Sequence, residues 1–356
     1  MYKNRVITGT GSFIPHKIVK NSNFKDHVFL NEDGTLYEKD NEKTIEKFQA
    51  ITGIEERRYA DDTVNTSDMA FNASLKAIES AKINKEDLDL IIVAHNFGEI
   101  KKDSYQGDFL PSIATRVKNK LEIQNPNCVA YDILFGCPGW VQGLIQANQA
   151  IKAGDVQKVL VVGAETLSRV VDNNDRDSMI FSDGAGAVVV ESLEEETERG
   201  ILSTVAQTYA LEESKFLYSG PTFNKEKDQG INYMKMRGRK IYEFALVNVP
   251  SAMKSVLDKR GLDIDDIHKI FLHQANEKMD EGIVKRLYRL FKKPVKKNVM
   301  PMSIQKLGNN SVATVPVLYD MVLSDQLKNH IVTKGDIIIF ASVGAGMNIN
   351  AVTYQS

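Results

Sequence analysis

Short runs of Val, Ile and Leu recur along the chain, and each stops abruptly at Gly, Ala, Asn or His. Residues 90–95, 158–163, 185–191, 270–273 and 336–342 are too short for buried helices. Their β-branched side chains suit covered strands. Between them apolar positions return every three or four residues, over 68–81, 140–153 and 241–257, which predicts helices. Strands that lack polar alternation and are separated by helices argue for α/β layers with sheets covered on both faces.

The elements form two series of similar plan. Each closes on a glycine-rich segment, Gly184-Ala185-Gly186-Ala187 in the first and Gly344-Ala345-Gly346 in the second. The acidic stretch 194–200 reads as a solvated connector, which divides the chain into halves at 1–196 and 197–356. A polar segment, 31–41, contains Asp33-Gly34 and predicts an exposed loop or hairpin turn.

Composition narrows the function classes. With 42% hydrophobic and 26% charged residues, the chain is of ordinary globular type. A net charge of -2 gives no bulk reason to expect nucleic acid as partner. No apolar run approaches the roughly 18 residues that span a bilayer, so stable membrane insertion is not expected. The N-terminus, Met1-Tyr2-Lys3-Asn4-Arg5, lacks the apolar core of a secretory leader. The two cysteines, Cys128 and Cys137, offer neither a disulfide framework nor zinc spacing, so the chain reads as cytoplasmic and metal-free.

The richest window is Val129-Ala130-Tyr131-Asp132-Ile133-Leu134-Phe135-Gly136-Cys137-Pro138-Gly139-Trp140. A strand-like run stops at Gly136 and helix signals begin at once, with Pro138 suited to the first helical position and Gly154 to the stop. Cys137 then falls at the cap, where free N–H groups and the helix dipole should lower its thiol pKa below the usual value of about 8.5. A small buried core residue is the bland alternative, and it is the expectation for Cys128, read as lying in mid-strand. His273, in Phe271-Leu272-His273-Gln274-Ala275-Asn276, follows a short strand at an edge where α/β proteins bind ligands. Taken alone it is a structural histidine, as are the other five. Asn309, in Leu307-Gly308-Asn309-Asn310-Ser311, reads by itself as a helix cap. Together, cysteine, histidine and amide form a candidate nucleophilic site, equally able to serve acyl hydrolysis.

These residues resemble the β-ketoacyl-acyl-carrier-protein synthase III group of the thiolase superfamily. Ordered blocks carry the resemblance along almost the whole chain: residues 7–15, Thr52-Gly53-Ile54-Glu55-Glu56-Arg57, the Cys137 window, Asp175-Arg176 with Ser182-Asp183-Gly184-Ala185-Gly186-Ala187, His273-Gln274-Ala275-Asn276 and Gly308-Asn309-Asn310-Ser311. The resemblance implies a duplicated five-layer αβαβα thiolase fold, a homodimer, and a Cys137–His273–Asn309 site at the base of an acyl tunnel. It implies acyl transfer from acyl-CoA or acyl-ACP to Cys137, followed by decarboxylative Claisen condensation with a malonyl-type or β-keto acyl thioester, without a cofactor. The Cys137 N–H and one from Gly344, Ala345 or Gly346 would form an oxyanion hole. Arg176, Phe48 and Lys278 would bind substrate. The basic cluster containing Arg286, Arg289, Lys292 and Lys293 would dock an acidic acyl carrier protein, although a solvated helix face explains it as well.

Several positions depart from the family pattern. Ile51 replaces a basic residue, and Lys47-Phe48 stands where a tryptophan stacks on adenine, with Phe48 as the substitute platform. Phe135-Gly136-Cys137-Pro138 replaces smaller residues around the sulfur. Residues 31–41 read as an insertion and 95–110 as an extended stretch. These changes favour a specialised lipid or secondary-metabolite pathway. Other readings are a ketosynthase/cyclase that makes dialkylresorcinol-type rings, a non-decarboxylating acyltransferase, or an inactive tunnel-shaping partner subunit. A further rival resembles hydroxymethylglutaryl-coenzyme A synthase, which uses a glutamate base near the place where Asn96 stands.

Overall fold

Each apolar run forms a strand and each helix-period segment a helix in the computed structural model, which describes residues 1–37, 40–104 and 106–356. In chain order the first half holds β1 (Tyr2–Phe13), β2 (Lys17–Lys20), α1 (Asn41–Thr52), β3 (Glu56–Tyr59), α2 (Thr66–Ala81), β4 (Leu90–Ala94), α3 (Ile113–Lys120), β5 (Val129–Ile133), α4 (Gly139–Ala153), β6 (Lys158–Thr166) and β7 (Asp183–Glu195). The second holds β8 (Gly200–Thr208), β9 (Leu217–Pro221), β10 (Asn232–Met236), α5 (Gly238–Asp258), β11 (Ile267–Leu272), α6 (Glu277–Leu290), α7 (Ile304–Leu307), α8 (Thr314–Leu323), β12 (Ile337–Gly344) and β13 (Asn348–Gln355).

The main sheet runs β11-β12-β13-β8-β1-β7-β6-β4-β5. At its middle β1 meets β8 only where Arg5 faces Gly200, and the same plan repeats on either side. From β1 outward the pairings are antiparallel to β7, antiparallel to β6, then parallel to β4 and β5. From β8 outward they are antiparallel to β13, antiparallel to β12, then parallel to β11. Beside β11, the place that β5 fills in the first half is held by Val299, whose carbonyl accepts the Ile270 N–H at 2.8 Å.

Strand parity explains why no polar alternation was visible. Ile91 and Val93 pack outward with Met69, Ala73 and Ala77 of α2 and Val117 of α3, whereas Ile92 and Val161 pack inward against Trp140 and Leu144 of α4. In the second half Ile338 and Phe340 face the centre, and Ile339 and Ala341 face Val249 and Met253 of α5 and Ile283 of α6. The layers are therefore α2/α3, sheet, α4/α8, sheet, α5/α6, the duplicated thiolase arrangement. Close approach of α2 requires glycine on β1, since a Cβ at Gly9 would stand 2.3 Å from the Ala77 carbonyl oxygen.

Some local expectations need adjustment. Cys128 is buried but precedes β5 rather than lying within a strand. Within 31–41, Gly34 N–H closes a turn on Asn31 O at 2.9 Å and Leu30 bridges Leu36; residues 38 and 39 lie outside the described residues. The 95–110 stretch is pinned by a bridge between Glu99 and Asp108, with residue 105 outside the described set. Among the described residues no helix is long and apolar enough to cross a membrane.

Candidate functional site

The parallel strands β4, β5 and β6 of one half and β11 and β12 of the other end together, as strands do where α/β sheets bind ligands. Cys137 lies between β5 and α4, on a turn made possible by Gly136 at φ 68. This turn interlocks with the one between β12 and β13. A Cβ at Gly136 would approach Ala345 N to 2.8 Å, and one at Gly344 would approach Cys137 N to 2.5 Å. The glycine-rich end of β12 thus lets its backbone touch the backbone that carries the sulfur.

Pro138 is the N-cap of α4, so Cys137 sits one residue before the cap, not on it. The difference matters electrostatically. Pro138 has no N–H, and the Gly139 N–H is spent on Gly136 O at 3.0 Å. The dipole therefore has fewer free donors to offer the sulfur, and the expected fall in thiol pKa is reversed. Burial, followed by the charge of Glu165, pushes it up to about 11, against the opposing hydrogen bond from the Ser311 hydroxyl at 3.3 Å. The residue itself is half-buried.

His273 follows β11, its N–H held by Ala341 O at 2.9 Å. Gln274 anchors the same loop by donating to Pro301 O and accepting from Ser303 N. Burial lowers the imidazole to about 4, only partly offset by a bond to the Ser311 main chain, so the ring is neutral at physiological pH. Its Nδ1 is buried without a partner. Asn309 is fixed by its N–H to Ile180 O and by its carbonyl, which accepts Ser182 N–H. Its Oδ1 accepts the Ser311 N–H at 2.8 Å, which leaves the amide NH2 as the group it can present to a ligand.

The three expected residues therefore converge on a fourth, Ser311. Its hydroxyl donates to Cys137 Sγ and its N–H to Asn309 Oδ1, while its main chain offsets a small part of the burial effect on His273. It adopts a left-handed φ of 50. Beyond its place in the Gly308–Ser311 block, no sequence signal marked it. Asn96, considered only as the occupant of a base position, donates to Ser311 Oγ at 3.2 Å and also to Glu165. Glu165 is a buried carboxyl at the end of β6 whose pKa burial raises to about 8. Sequence reasoning passed over it entirely.

A cavity of about 530 Å³ leads to this loop and is lined by Lys47, Phe48, Arg176, Asn276, Met279 and Asn309, among others. Phe48 and Arg176 thus come together at one opening, with the Arg176 guanidinium 4.5 Å above the Tyr37 ring. Cys137 does not line that cavity; it stands behind Asn309, joined to it through Ser311. Lys278 is exposed on α6 and does not line the cavity either, so its expected contact with substrate is not formed within this pocket. Of the expected docking residues, Arg289 and Lys292 are exposed, Arg286 donates to Leu246 O, and Lys293 is held by Asp263 and Asp265. That pairing takes Lys293 out of the free cationic surface. Among the described residues no cluster of His, Cys, Asp and Glu is arranged to hold a metal.

Comparison with known proteins gives the same picture at the level of family. Residues 131–210 match the family described as 3-oxoacyl-[acyl-carrier-protein (ACP)] synthase III, and residues 257–356 match its C-terminal counterpart. A β-ketoacyl-[acyl-carrier-protein] synthase III of Oceanobacillus iheyensis is 35% identical over 350 residues, covering 98% of both chains. The crystal structure of 3-oxoacyl-[acyl-carrier-protein] synthase III from Aquifex aeolicus superimposes with a TM-score of 0.81 at 29% identity, over 99% of this chain and 100% of that one. The priming β-ketosynthase of the R1128 polyketide pathway shares the fold, with a TM-score of 0.82 at 24% identity over 99% and 96% of the two chains.

Proposed function

Because the chain belongs to the β-ketoacyl-acyl-carrier-protein synthase III family of condensing acyltransferases, we propose that Cys137, His273 and Asn309 carry out acyl transfer followed by decarboxylative Claisen condensation. The observation that carries this assignment is the hydrogen-bonded path from Cys137 through Ser311 to Asn309, with His273 influenced by the same Ser311 main chain. In the first step the sulfur attacks a thioester carbonyl delivered by coenzyme A or carrier protein, and the donor thiol leaves with the proton. The oxyanion is met by the Cys137 N–H and by a donor from the 344–346 loop, a role supported by the contact of Gly344 with Cys137. In the second step a malonyl-type thioester places its carbonyl oxygen between the His273 imidazole and the Asn309 NH2. Carbon dioxide departs, the enolate charge is held by those two donors, and the carbanion attacks the acyl-cysteine carbonyl; the carbon–carbon bond forms as the carbon–sulfur bond breaks, and Cys137 leaves as thiolate and takes up a proton. A neutral imidazole can fill this role with its single N–H, which donates to the oxygen as enolate charge develops.

The cavity mouth supports a route for the thioester arm, with Phe48 and Arg176 binding its head group. Arg286, Arg289 and Lys278 lie along α6 and Lys292 just beyond its end, and the first turn of α6 forms part of that mouth, so an acidic carrier protein docked there would face the opening. Homodimerisation is supported by β5, an edge strand with Val129, Tyr131 and nearby Leu134 exposed beside Phe109 and Leu110. A specialised substrate is favoured by Phe135 and Pro138 flanking the sulfur.

The test uses malonyl thioester labelled at the free carboxyl, with acylated enzyme. His273→Ala should keep measurable acylation while label release falls by about 100-fold or more. Equal losses in both steps contradict the division of roles.

A further inference from the structure

The contact between Ser311 and the sulfur continues to a buried carboxyl that the reaction above does not use. Asn96, just after β4, donates from Nδ2 to Ser311 Oγ at 3.2 Å and to Glu165 Oε1. Glu165 and Ser311 are 1% and 4% exposed, so water offers neither a ready substitute partner.

The donor and acceptor inventory fixes the direction of this chain. A serine hydroxyl has one proton, and with its oxygen already accepting from Asn96 that proton is free to point at Cys137 Sγ, 3.3 Å away. Only one orientation of the Asn96 amide permits this. If the amide were turned over, its oxygen would face the Glu165 carboxylate and would draw the Ser311 proton away from the sulfur. An ionised carboxylate accepts and does not donate, so it selects the productive orientation.

We propose that Ser311 is a further catalytic residue, donating a hydrogen bond to the Cys137 thiolate, and that Glu165 and Asn96 are positioning residues that aim it. The proposal rests on Cys137 being the nucleophile. Its chemistry opposes the main obstacle at this site, since burial disfavours the thiolate and the Ser311 bond is the side-chain contact that favours it. Burial raises the Glu165 pKa to about 8, and repulsion from Asp183 adds to it. The ionised form that holds Asn96 therefore accumulates as pH rises through that value, in the same direction as thiolate formation.

The test is the pH profile of Cys137 alkylation by iodoacetamide in the full chain, read by intact mass. Ser311→Ala should slow alkylation at pH 8 by about tenfold, the effect of removing one hydrogen bond to a charged atom, and Ser311→Thr should restore most of it. Glu165→Gln should slow it by roughly threefold alone, the lost aim outweighing the relief of a charge that disfavours the thiolate, and should not slow it at all when added to Ser311→Ala, because the group being aimed is then gone. A Ser311→Ala profile that overlays the unsubstituted one overturns the proposal. So does a Glu165→Gln effect that persists at full size in the Ser311→Ala background, which marks a purely structural role. If the unsubstituted protein alkylates nowhere near Cys137 at any pH, the nucleophile assignment itself fails.

Discussion

Cys137 and His273 are neutral at rest for one reason: burial outweighs every nearby charge and hydrogen bond. With the thiol pushed to about 11, the thiolate fraction should grow about tenfold per pH unit between 7 and 9, and single-turnover acylation should follow it. Decarboxylation by pre-acylated enzyme should stay flat between pH 5.5 and 8, because His273, lowered to about 4, remains unprotonated throughout. Stopped-flow acylation and label release at a series of pH values check both; a decarboxylation profile that titrates near 6.5 contradicts the buried neutral ring. The same shift bears on stability. The unfolded chain protonates this histidine below about 6.5 and the folded one only below about 4, so its burial costs on the order of 3 kcal/mol as pH falls through that window. Cys137, His273 and Asn309 could be singled out as candidates because each follows the end of a regular element and sits in a family block. The direction of the thiol shift was not legible, because it is set by burial, and the segments that bury the sulfur, such as the one at Gly344, are far away in sequence and invisible to a local window.

Two turns carry the site, and their glycines make them fit. Gly344→Ala would drive a Cβ to 2.5 Å from Cys137 N. It should lower stability by about 1–3 kcal/mol and slow acylation more than tenfold. Gly238→Ala, at the start of α5 with nothing within 4 Å, serves as the control for stability and should be neutral or slightly stabilising. Thermal melting of both variants, with adduct formation on Gly344→Ala, decides the matter; equal shifts in melting would deny the interlock. Strands were legible from apolar run length, and helices from their period. The start of α4 was misplaced by one residue because a proline suits both N-cap and first-turn geometry, and only the structure shows that the Gly139 N–H is already used. The interlock itself joins residues 136 and 344, and nothing local announces a contact of that range.

At the scale of the molecule, duplication places Cys137 on one half and His273 and Asn309 on the other, with α4 and α8 stacked between the sheets. The two-half plan was legible from element order. The central layer was not, because helices covered on both sides leave no polar face to mark which sheet each serves. An open edge of the main sheet is β5, where Val129 is 56% exposed and Leu134, just past its end, 61%. Val129→Glu combined with Leu134→Glu should convert the proposed dimer to monomer in sedimentation equilibrium, since like charges would face each other across a self-complementary edge. A doubly substituted chain that sediments as the unsubstituted one does would move the interface elsewhere.

The chemistry can be read from a single sulfur. Incubation of the full chain with a panel of acyl thioesters, followed by intact-protein and peptide mass spectrometry, should give one acyl adduct located at Cys137 and lost in Cys137→Ala. Subsequent addition of a malonyl-type thioester should discharge it with release of a β-keto product. An adduct at Cys128 or at no cysteine, or an adduct at Cys137 that malonyl thioester leaves in place, would contradict the account.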